Sequence, residues 1–123
     1  MKLSGTMIGT ENSKVLGDFY NKILGEAGWQ EGDWYGYQAG TGTLMIGTHS
    51  DVSGKNATPA RLMINFEVTD VKAEFEKIKA LGAEVVAEPY QPSPTDNPEI
   101  WLATFADPDG NYFQLATPWE NKG

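Results

Sequence analysis

Apolar and polar positions alternate along this chain with two different periods, and the two periods follow each other twice. A strand-like alternation at 3–10 leads into apolar residues at helical spacing, and this helical pattern ends at Gly25. A second alternation at 61–68 leads into a second helical pattern, which ends at Gly82. The repeat predicts that one unit of roughly sixty residues is used twice.

Three further strand-like segments follow each predicted helix, so each unit has the element order βαβββ. The last two segments of the second unit are joined at 107–110, where the sequence DPDG has Asp, Pro and Gly at the positions that a type I turn prefers. A glycine-rich turn at 40–42 joins the corresponding segments of the first unit. The predicted segments are Trp29, 33–39, 43–48, 83–88, 100–106 and 111–117.

The two units are predicted to be modules of one domain that spans 1–123. The first module covers about 1–49, a linker rich in Ser, Gly, Asn and Thr covers about 50–60, and the second module covers about 61–123. The length suits one hydrophobic core and is too short for two ordinary domains. The predicted fold class is α+β, with two tandem βαβββ modules that form a curved mixed sheet and leave a cavity on its open face.

Alternation within the first strand of each unit separates a face for the helices from an open face. In 61–68 the even-numbered residues are all apolar, whereas Met63, Asn65 and Glu67 form a mixed face of the kind that lines a ligand cavity. The alternative is that methionines on this face fill a core, which is a common role of methionine. The residues predicted to face the open side are Gly5, Met7, Gly9, Met63, Asn65, Glu67, Tyr112, Gln114 and Ala116.

Composition restricts the chemistry and the partners that this chain can have. The sequence has no cysteine, which excludes disulfides, thiolate nucleophiles and zinc–thiolate sites. Seventeen acidic residues against nine basic ones give a formal net charge of −8. This charge disfavours nucleic acid and anionic membranes as partners and favours a cationic or neutral small ligand, unless the acidity serves solubility alone. No apolar run approaches the length of a membrane span, so a soluble, cytoplasmic protein is expected.

Two sequence segments carry a resemblance to a known family. NSKVLGDFYNKILG at 12–25 and DPDGNYFQL at 107–115 stand in register with the repeated βαβββ unit. Together they resemble the vicinal oxygen chelate superfamily, which includes glyoxalases, extradiol dioxygenases, fosfomycin-resistance enzymes and bleomycin-resistance proteins. The resemblance covers essentially the whole chain and implies the same α+β fold.

The resemblance also implies where metal ligands would stand, namely on the first and last strands of each unit. The matching positions are Gly5 and Met63 on the first strands and Gln114 on a last strand, with Ile46 as a fourth position in an ambiguous register. Gly and Ile cannot coordinate, Met suits Cu(I), and a neutral Gln is a weak oxygen donor. We therefore predict no metal and no cofactor. The only histidine, His49, falls in the linker and is interpreted as a surface residue.

In lacking those ligands, the chain resembles most the metal-free, bleomycin-resistance-like branch of the superfamily. The resemblance implies a metal-independent small-molecule binding protein that acts by antibiotic sequestration, assembles as a homodimer and holds an aromatic or cationic ligand. Whether the two modules pair within one chain or between two chains stays open. Two or three of the five aromatic residues at the predicted cavity border are expected to line it. The predicted binding set is Met7, Trp34, Tyr35, Tyr37, Met63, Asn65, Glu67, Tyr90, Trp101, Tyr112 and Gln114.

Two other functions remain open at the level of the sequence. In the first, the chain is a glyoxalase-like lyase, isomerase or dioxygenase with an atypical site, in which Glu67 in a poorly solvated position would act as the general base. The competing interpretation of Glu67 is a solvated carboxylate that pairs with a cationic ligand or a lysine. In the second, the chain is a partner-binding domain whose cavity is filled by its own side chains.

Overall fold

The computed structural model describes residues 1–118, and the chain divides into two units, Met1–Lys55 and Asn56–Gly123. Each unit has one helix and a four-stranded mixed sheet. This arrangement confirms the α+β class and the two βαβββ modules that the sequence predicts. No helix among the described residues is long and apolar enough to cross a membrane.

Unit 1 contains one helix and four strands. Its elements are β1 (Gly5–Thr10), α1 (Ser13–Leu24), β2 (Trp29–Glu31), β3 (Trp34–Ala39) and β4 (Gly42–Thr48). The strand order in the sheet is β1-β4-β3-β2. The first and last strands, β1 and β4, pair in parallel, and the other neighbours are antiparallel.

Helix α1 begins and ends where the sequence predicts. Asn12 caps its start, because Asn12 Oδ1 accepts a hydrogen bond from the Val15 N–H at 3.2 Å. The helix stops at Gly25, whose φ of 91° is a conformation that glycine adopts readily. Leu16 and Tyr20 are fully buried between α1 and one face of the sheet, and the opposite face is called the open face of unit 1. The strand residues buried beneath α1 are Ile8, Thr10, Tyr35, Tyr37, Leu44 and Ile46.

Unit 2 repeats the same order of elements. They are β5 (Ile64–Glu67), α2 (Val71–Ala80), β6 (Glu84–Tyr90), β7 (Leu102–Ala106) and β8 (Tyr112–Ala116). The strand order is β5-β8-β7-β6, with β5 and β8 parallel and the other neighbours antiparallel. The topology of the second sheet is therefore the same as that of the first.

Helix α2 covers a stack of aromatic rings on one face of its sheet. Asp70 caps the helix, with Asp70 Oδ1 accepting from the Ala73 N–H at 3.0 Å. Phe75 stacks on Phe105 with ring centroids 5.1 Å apart, and Phe105 stacks on Phe113 at 5.5 Å. Offset ring pairs of this kind stabilise a core beyond the area that they bury. The face of this sheet opposite α2 is called the open face of unit 2.

The first strand of unit 2 is shorter than predicted. The alternation at 61–68 suggests a long strand whose apolar face lies under the helix, but β5 covers only Ile64–Glu67. Leu62 lies outside the strand and is 86% exposed. The physical reason is local, because the Arg61 N–H bonds to the Thr58 carbonyl at 3.1 Å and this turn takes the chain away from the sheet.

A second correction concerns the proline-containing loop of unit 2. The sequence predicts a surface loop at 89–98, whereas strand β6 continues to Tyr90. A hydrogen bond of 2.8 Å from Gln91 Nε2 to the Pro98 carbonyl then joins the two ends of the loop that remains. Strand β6 continues through Pro89 because its pairing with β7 is irregular between Ala87 and Tyr90. At such an irregularity the sheet tolerates a residue without an N–H donor.

The turn between β7 and β8 forms as predicted. The Gly110 N–H donates to the Asp107 carbonyl at 2.9 Å, and Gly110 has a φ of 80°. The Asp107 side chain is buried and accepts three further hydrogen bonds, from the N–H groups of Asp109 and Asn111 and from Asn111 Nδ2, at 2.9 to 3.0 Å. The turn is therefore held by one side chain as well as by its backbone.

Candidate functional site

The open face of unit 1 carries a continuous row of residues across its four strands. The register aligns Met7 with Met45, Met45 with Gly36, and Gly36 with Trp29. Met7 is 55% exposed and Trp29 is 46% exposed. The Trp29 ring lies beside Gly36, because its Cε3 atom is 3.3 Å from where a Cβ would stand. These four residues are called the apolar row; Met7 and Trp29 are exposed, Met45 is half-buried and Gly36 is buried beside the Trp29 ring.

Two other glycines on this face are covered by neighbouring side chains. The Trp34 ring packs over Gly47 so closely that a Cβ there would overlap the indole. Gly9 is covered by His49 and Val52, whose nearest carbons lie 3.1 and 3.3 Å from the position of a Cβ. Trp34, a predicted binding residue, is thus on the open face but lies against the sheet and is half-buried.

The open face of unit 2 differs in character, because its central row is polar and uncharged. The register aligns Asn65 with Gln114 and Gln114 with Thr104. Gln114 Nε2 donates a hydrogen bond to Thr104 Oγ1 at 3.3 Å. Thr104 is buried, Gln114 is half-buried and Asn65 is exposed. These three residues are called the polar row.

Glu67 stands in the neighbouring row of the same face, on the edge strand β5. The register aligns Glu67 with Ala116, Ala116 with Leu102, and Leu102 with Tyr90. Glu67 is exposed. The poorly solvated position that a general base at Glu67 would need is therefore not found, and the carboxylate lies in water.

Tyr112 lies on the other side of the polar row, whereas Met63 lies outside the strand. Tyr112 is half-buried and pairs with Ala106 of β7. Met63 immediately precedes β5 and is exposed. The structure thus brings five of the predicted binding residues to one face of unit 2, with Tyr90 at its far edge, and the register does not place Met63. These five are Asn65, Glu67, Tyr90, Tyr112 and Gln114.

Two predicted binding residues of unit 1 lie on the face opposite the open one. Tyr35 is 7% exposed and Tyr37 is 3% exposed, and both pack beneath α1. The Tyr37 hydroxyl lies 2.9 Å from the Gly17 carbonyl oxygen and 2.8 Å from Asn21 Oδ1. Burial, followed by the nearby Tyr35 and then Asp18, raises the pKa of Tyr37 to about 12. The structure therefore does not bring these tyrosines to the open face, because they fill the contact between helix and sheet.

Trp101 also lies away from the open face of unit 2. Lys72 of helix α2 places its Nζ atom 3.8 Å from the centre of a Trp101 ring, which is the distance of a cation–π contact. The Trp101 N–H of the backbone donates to Thr117 Oγ1 at 2.9 Å. The indole is therefore engaged with the helix side of its own unit.

The residues at the implied metal positions do not fit a divalent metal. Gly5 has no ligand atom, and Met63 and Gln114 offer a thioether and a neutral amide. The ambiguous fourth position is corrected by the register, because Ile46 is fully buried beneath α1 and Met45 faces the open side beside Met7. Across residues 1–118, no group of three or more His, Cys, Asp or Glu residues could hold a metal ion.

Three residues of the open faces are missing from the predicted binding set, namely Trp29, Met45 and Thr104. Trp29 stands in a strand of only three residues, too short for alternation to give its direction. Met45 and Thr104 have neighbours that are equally apolar or small, so the sequence alone does not fix which of them faces outward. The available signal was Gly36 in the middle of a strand, which marks a close approach of another group.

The comparison with known proteins agrees with this architecture. The Glyoxalase-like domain family matches residues 5–116, and the chain therefore belongs to that family. No curated protein matches the chain.

Several solved structures share the fold at low sequence identity. A glyoxalase/bleomycin resistance protein from Albidiferax ferrireducens T118 is 22% identical, with a TM-score of 0.72 and coverage of 94% of this chain and 98% of that chain. A glyoxalase/bleomycin resistance protein from Catenulispora Acidiphila DSM 44928 is 18% identical, with a TM-score of 0.70 and coverage of 96% and 100%. A glyoxalase-related enzyme from Fulvimarina pelagi is 15% identical, with a TM-score of 0.73 and coverage of 95% and 88%. These similarities establish the fold.

Proposed function

We propose that this chain is a metal-independent small-molecule binding protein that holds an aromatic, cationic compound and acts by sequestering an antibiotic. The observation that carries the proposal is the apolar row of unit 1, where Trp29 and Met7 are exposed beside Met45 and Gly36. Two of the similar structures are glyoxalase/bleomycin resistance proteins, which supports sequestration as the role. A cytoplasmic homodimer is part of the same proposal.

The chemistry of the apolar row suits a flat cation. An exposed indole attracts a cation over its face by about 0.5–2 kcal/mol, and a thioether packs well against an aromatic ring. The formal net charge of −8 raises the local concentration of cations around the chain. The same charge disfavours an anionic ligand.

The test is a titration of the purified protein with bleomycin and with ethidium, a planar aromatic cation, followed by tryptophan fluorescence and calorimetry. Trp29→Leu removes the exposed indole, and we expect the dissociation constant for ethidium to rise roughly 5-fold to 30-fold. Trp101→Leu is the matched control, because it removes an indole that contacts Lys72 on the helix side. Equal affinity of the wild type and Trp29→Leu would contradict the proposal.

Native mass spectrometry of the protein purified from its own cells provides an independent test. A bound organic compound and a dimer mass would support the proposal. A stoichiometric, tightly bound divalent metal would contradict it, because the positions of Gly5, Met45, Met63 and Gln114 are not expected to retain such an ion.

A glyoxalase-like lyase, isomerase or dioxygenase remains the second candidate. The observation in its favour is that Glu67 stands on the open face of unit 2 beside the polar row. A base at this position predicts turnover that disappears in Glu67→Gln while the fold is retained. Glu76→Gln is the matched control, because Glu76 is an exposed residue of helix α2. Activity that survives Glu67→Gln would reject this candidate.

A further inference from the structure

We propose that the polar row of unit 2, formed by Asn65, Gln114 and Thr104, is a subsite for a neutral amide group of the ligand, such as a primary carboxamide or a lactam. The inference rests on the proposed function and specifies the chemistry of one part of the ligand. It concerns unit 2 alone and uses none of the residues of the apolar row.

The polar row has hydrogen-bonding capacity that the protein does not use. Asn65 is exposed, and its side chain makes no hydrogen bond with any residue of 1–118. A carboxamide offers two N–H donors and one carbonyl acceptor. Gln114 spends one N–H on Thr104, which leaves its carbonyl oxygen and its second N–H for a ligand.

The Gln114 amide is held in place before a ligand arrives, whereas the strand register fixes only the backbone position of Asn65. Asn65 and Gln114 are direct partners across parallel strands, which lie about 4.8 Å apart. The hydrogen bond to the buried Thr104 holds the Gln114 amide in one orientation. An amide ligand presents one N–H and one C=O, so it can donate to one carboxamide and accept from the other. Such preorganisation reduces the entropy lost on binding.

The absence of a full charge in the polar row determines which ligands it prefers. A carboxylate ligand would lose its hydration without meeting an opposite charge there, and Glu67 in the neighbouring row would repel it. An ester has the shape of an amide but lacks the N–H, so it would leave a carboxamide oxygen of the protein without a donor. The row therefore discriminates an amide from its ester.

The experiment uses isotope-labelled full-length protein titrated with benzamide and, separately, with methyl benzoate, with side-chain amide signals followed by NMR. We expect benzamide to shift the NH₂ signals of Asn65 and Gln114 and to bind roughly threefold to tenfold more tightly than the ester. Asn65→Leu should remove this preference. Asn65→Asp, which keeps the shape but not the donors, should also weaken benzamide binding if the fold spectrum is unchanged. Gln30→Leu makes the same chemical change on β2 of unit 1 and should have no effect.

Two results would overturn the subsite. One is equal affinity for benzamide and methyl benzoate, and the other is a benzamide response that leaves the Asn65 and Gln114 signals in place. Titration of the same samples with ethidium separates this inference from the proposed function. Ethidium binding without amide preference rejects the polar row alone, whereas amide preference without ethidium binding rejects the aromatic, cationic ligand and retains the subsite.

Discussion

Tyr37 links helix α1 to the sheet of unit 1 through a single hydroxyl group. The group lies within hydrogen-bond distance of the Gly17 carbonyl and of Asn21 Oδ1. Gly17 also lets α1 pack closely against Tyr35, because a Cβ at Gly17 would stand only 2.9 Å from atoms of the Tyr35 ring. The two tyrosines therefore serve the stability of unit 1, although their residue type alone would also suit a binding surface.

The residue-scale prediction concerns Tyr37→Phe. The variant keeps the ring but loses the hydroxyl, and we expect a loss of about 1–2 kcal/mol in the free energy of unfolding. Denaturant unfolding at neutral pH measures this loss. Tyr90→Phe is the control, because Tyr90 is exposed and should give little change. Equal losses in the two variants would contradict a structural role for the Tyr37 hydroxyl.

The same residue predicts a dependence of stability on pH. The pKa of Tyr37 is raised from 10.0 to about 12, so the folded state holds this proton more tightly than the unfolded state. The stabilisation is complete below the unfolded value and is lost as the pH rises through the interval between the two values. The wild type should therefore lose more stability over this interval than Tyr37→Phe, as measured by thermal unfolding. Parallel curves for the two proteins would contradict this.

Residue directions were predictable where a strand was long and its two faces differed. The alternation correctly assigns Met7 to the open face and Ile8 to the helix side. It does not decide between Trp34 and Tyr35, because both are aromatic and either phase gives a plausible strand. The contact of Tyr35 with Gly17 of α1 decides the phase, and this contact joins residues that are distant in the sequence.

At the scale of an element, the turn at 107–110 depends on the buried carboxylate of Asp107. The side chain accepts hydrogen bonds from two backbone N–H groups and from Asn111 Nδ2. In Asp107→Ala the donors lose this acceptor, and we expect a loss of about 2–3 kcal/mol in the free energy of unfolding. Thermal or denaturant unfolding measures the effect.

The control for the turn is Asp96→Ala, which removes an exposed carboxylate from another loop of the same unit. This variant should stay within about 0.5 kcal/mol of the wild type. A comparably small effect of Asp107→Ala would mean that the backbone bond from Gly110 to Asp107 suffices to hold the turn.

The order of elements was predictable because caps and periods agree in both units. Asn12 and Asp70 mark the helix starts in the sequence and cap them in the structure. The limits of strands such as β5 were not predictable, because alternation at 61–63 continues beyond the point where backbone pairing stops. The first pair of β5 with β8 is Ile64 with Phe113, and the turn closed by the bond from the Arg61 N–H to the Thr58 carbonyl precedes it.

At the scale of the whole molecule, net charge provides a prediction about binding. With a formal charge of −8, the attraction of the chain for a cationic ligand should be screened by salt. Raising NaCl from about 0.05 M to about 0.5 M should weaken ethidium binding roughly threefold or more, because the screening length falls with ionic strength. Benzamide, which is neutral, serves as the control and should change little. Calorimetric titration at both salt concentrations measures the difference.

The two units share one topology but present different chemistry on their open faces. Unit 1 presents the apolar row, and unit 2 presents the polar row with Glu67 beside it. The repeat was predictable from the sequence because helix-ending glycines and element order recur. The difference between the two open faces was only partly predictable. The strand register is what shows that Trp29 and Met45 both stand beside Gly36 on the same face.

Gly36 has a consequence for the position of the Trp29 ring. It lies between Trp29 and Met45 in the apolar row, and a methyl group there would stand 3.3 Å from the indole and 3.8 Å from Met45 Sδ. Any larger side chain at this position would push the Trp29 ring away from the sheet. The indole of Trp29 can therefore lie close to β3 only while position 36 has no side chain, and a substitution at Gly36 would change how far this ring stands out from the sheet.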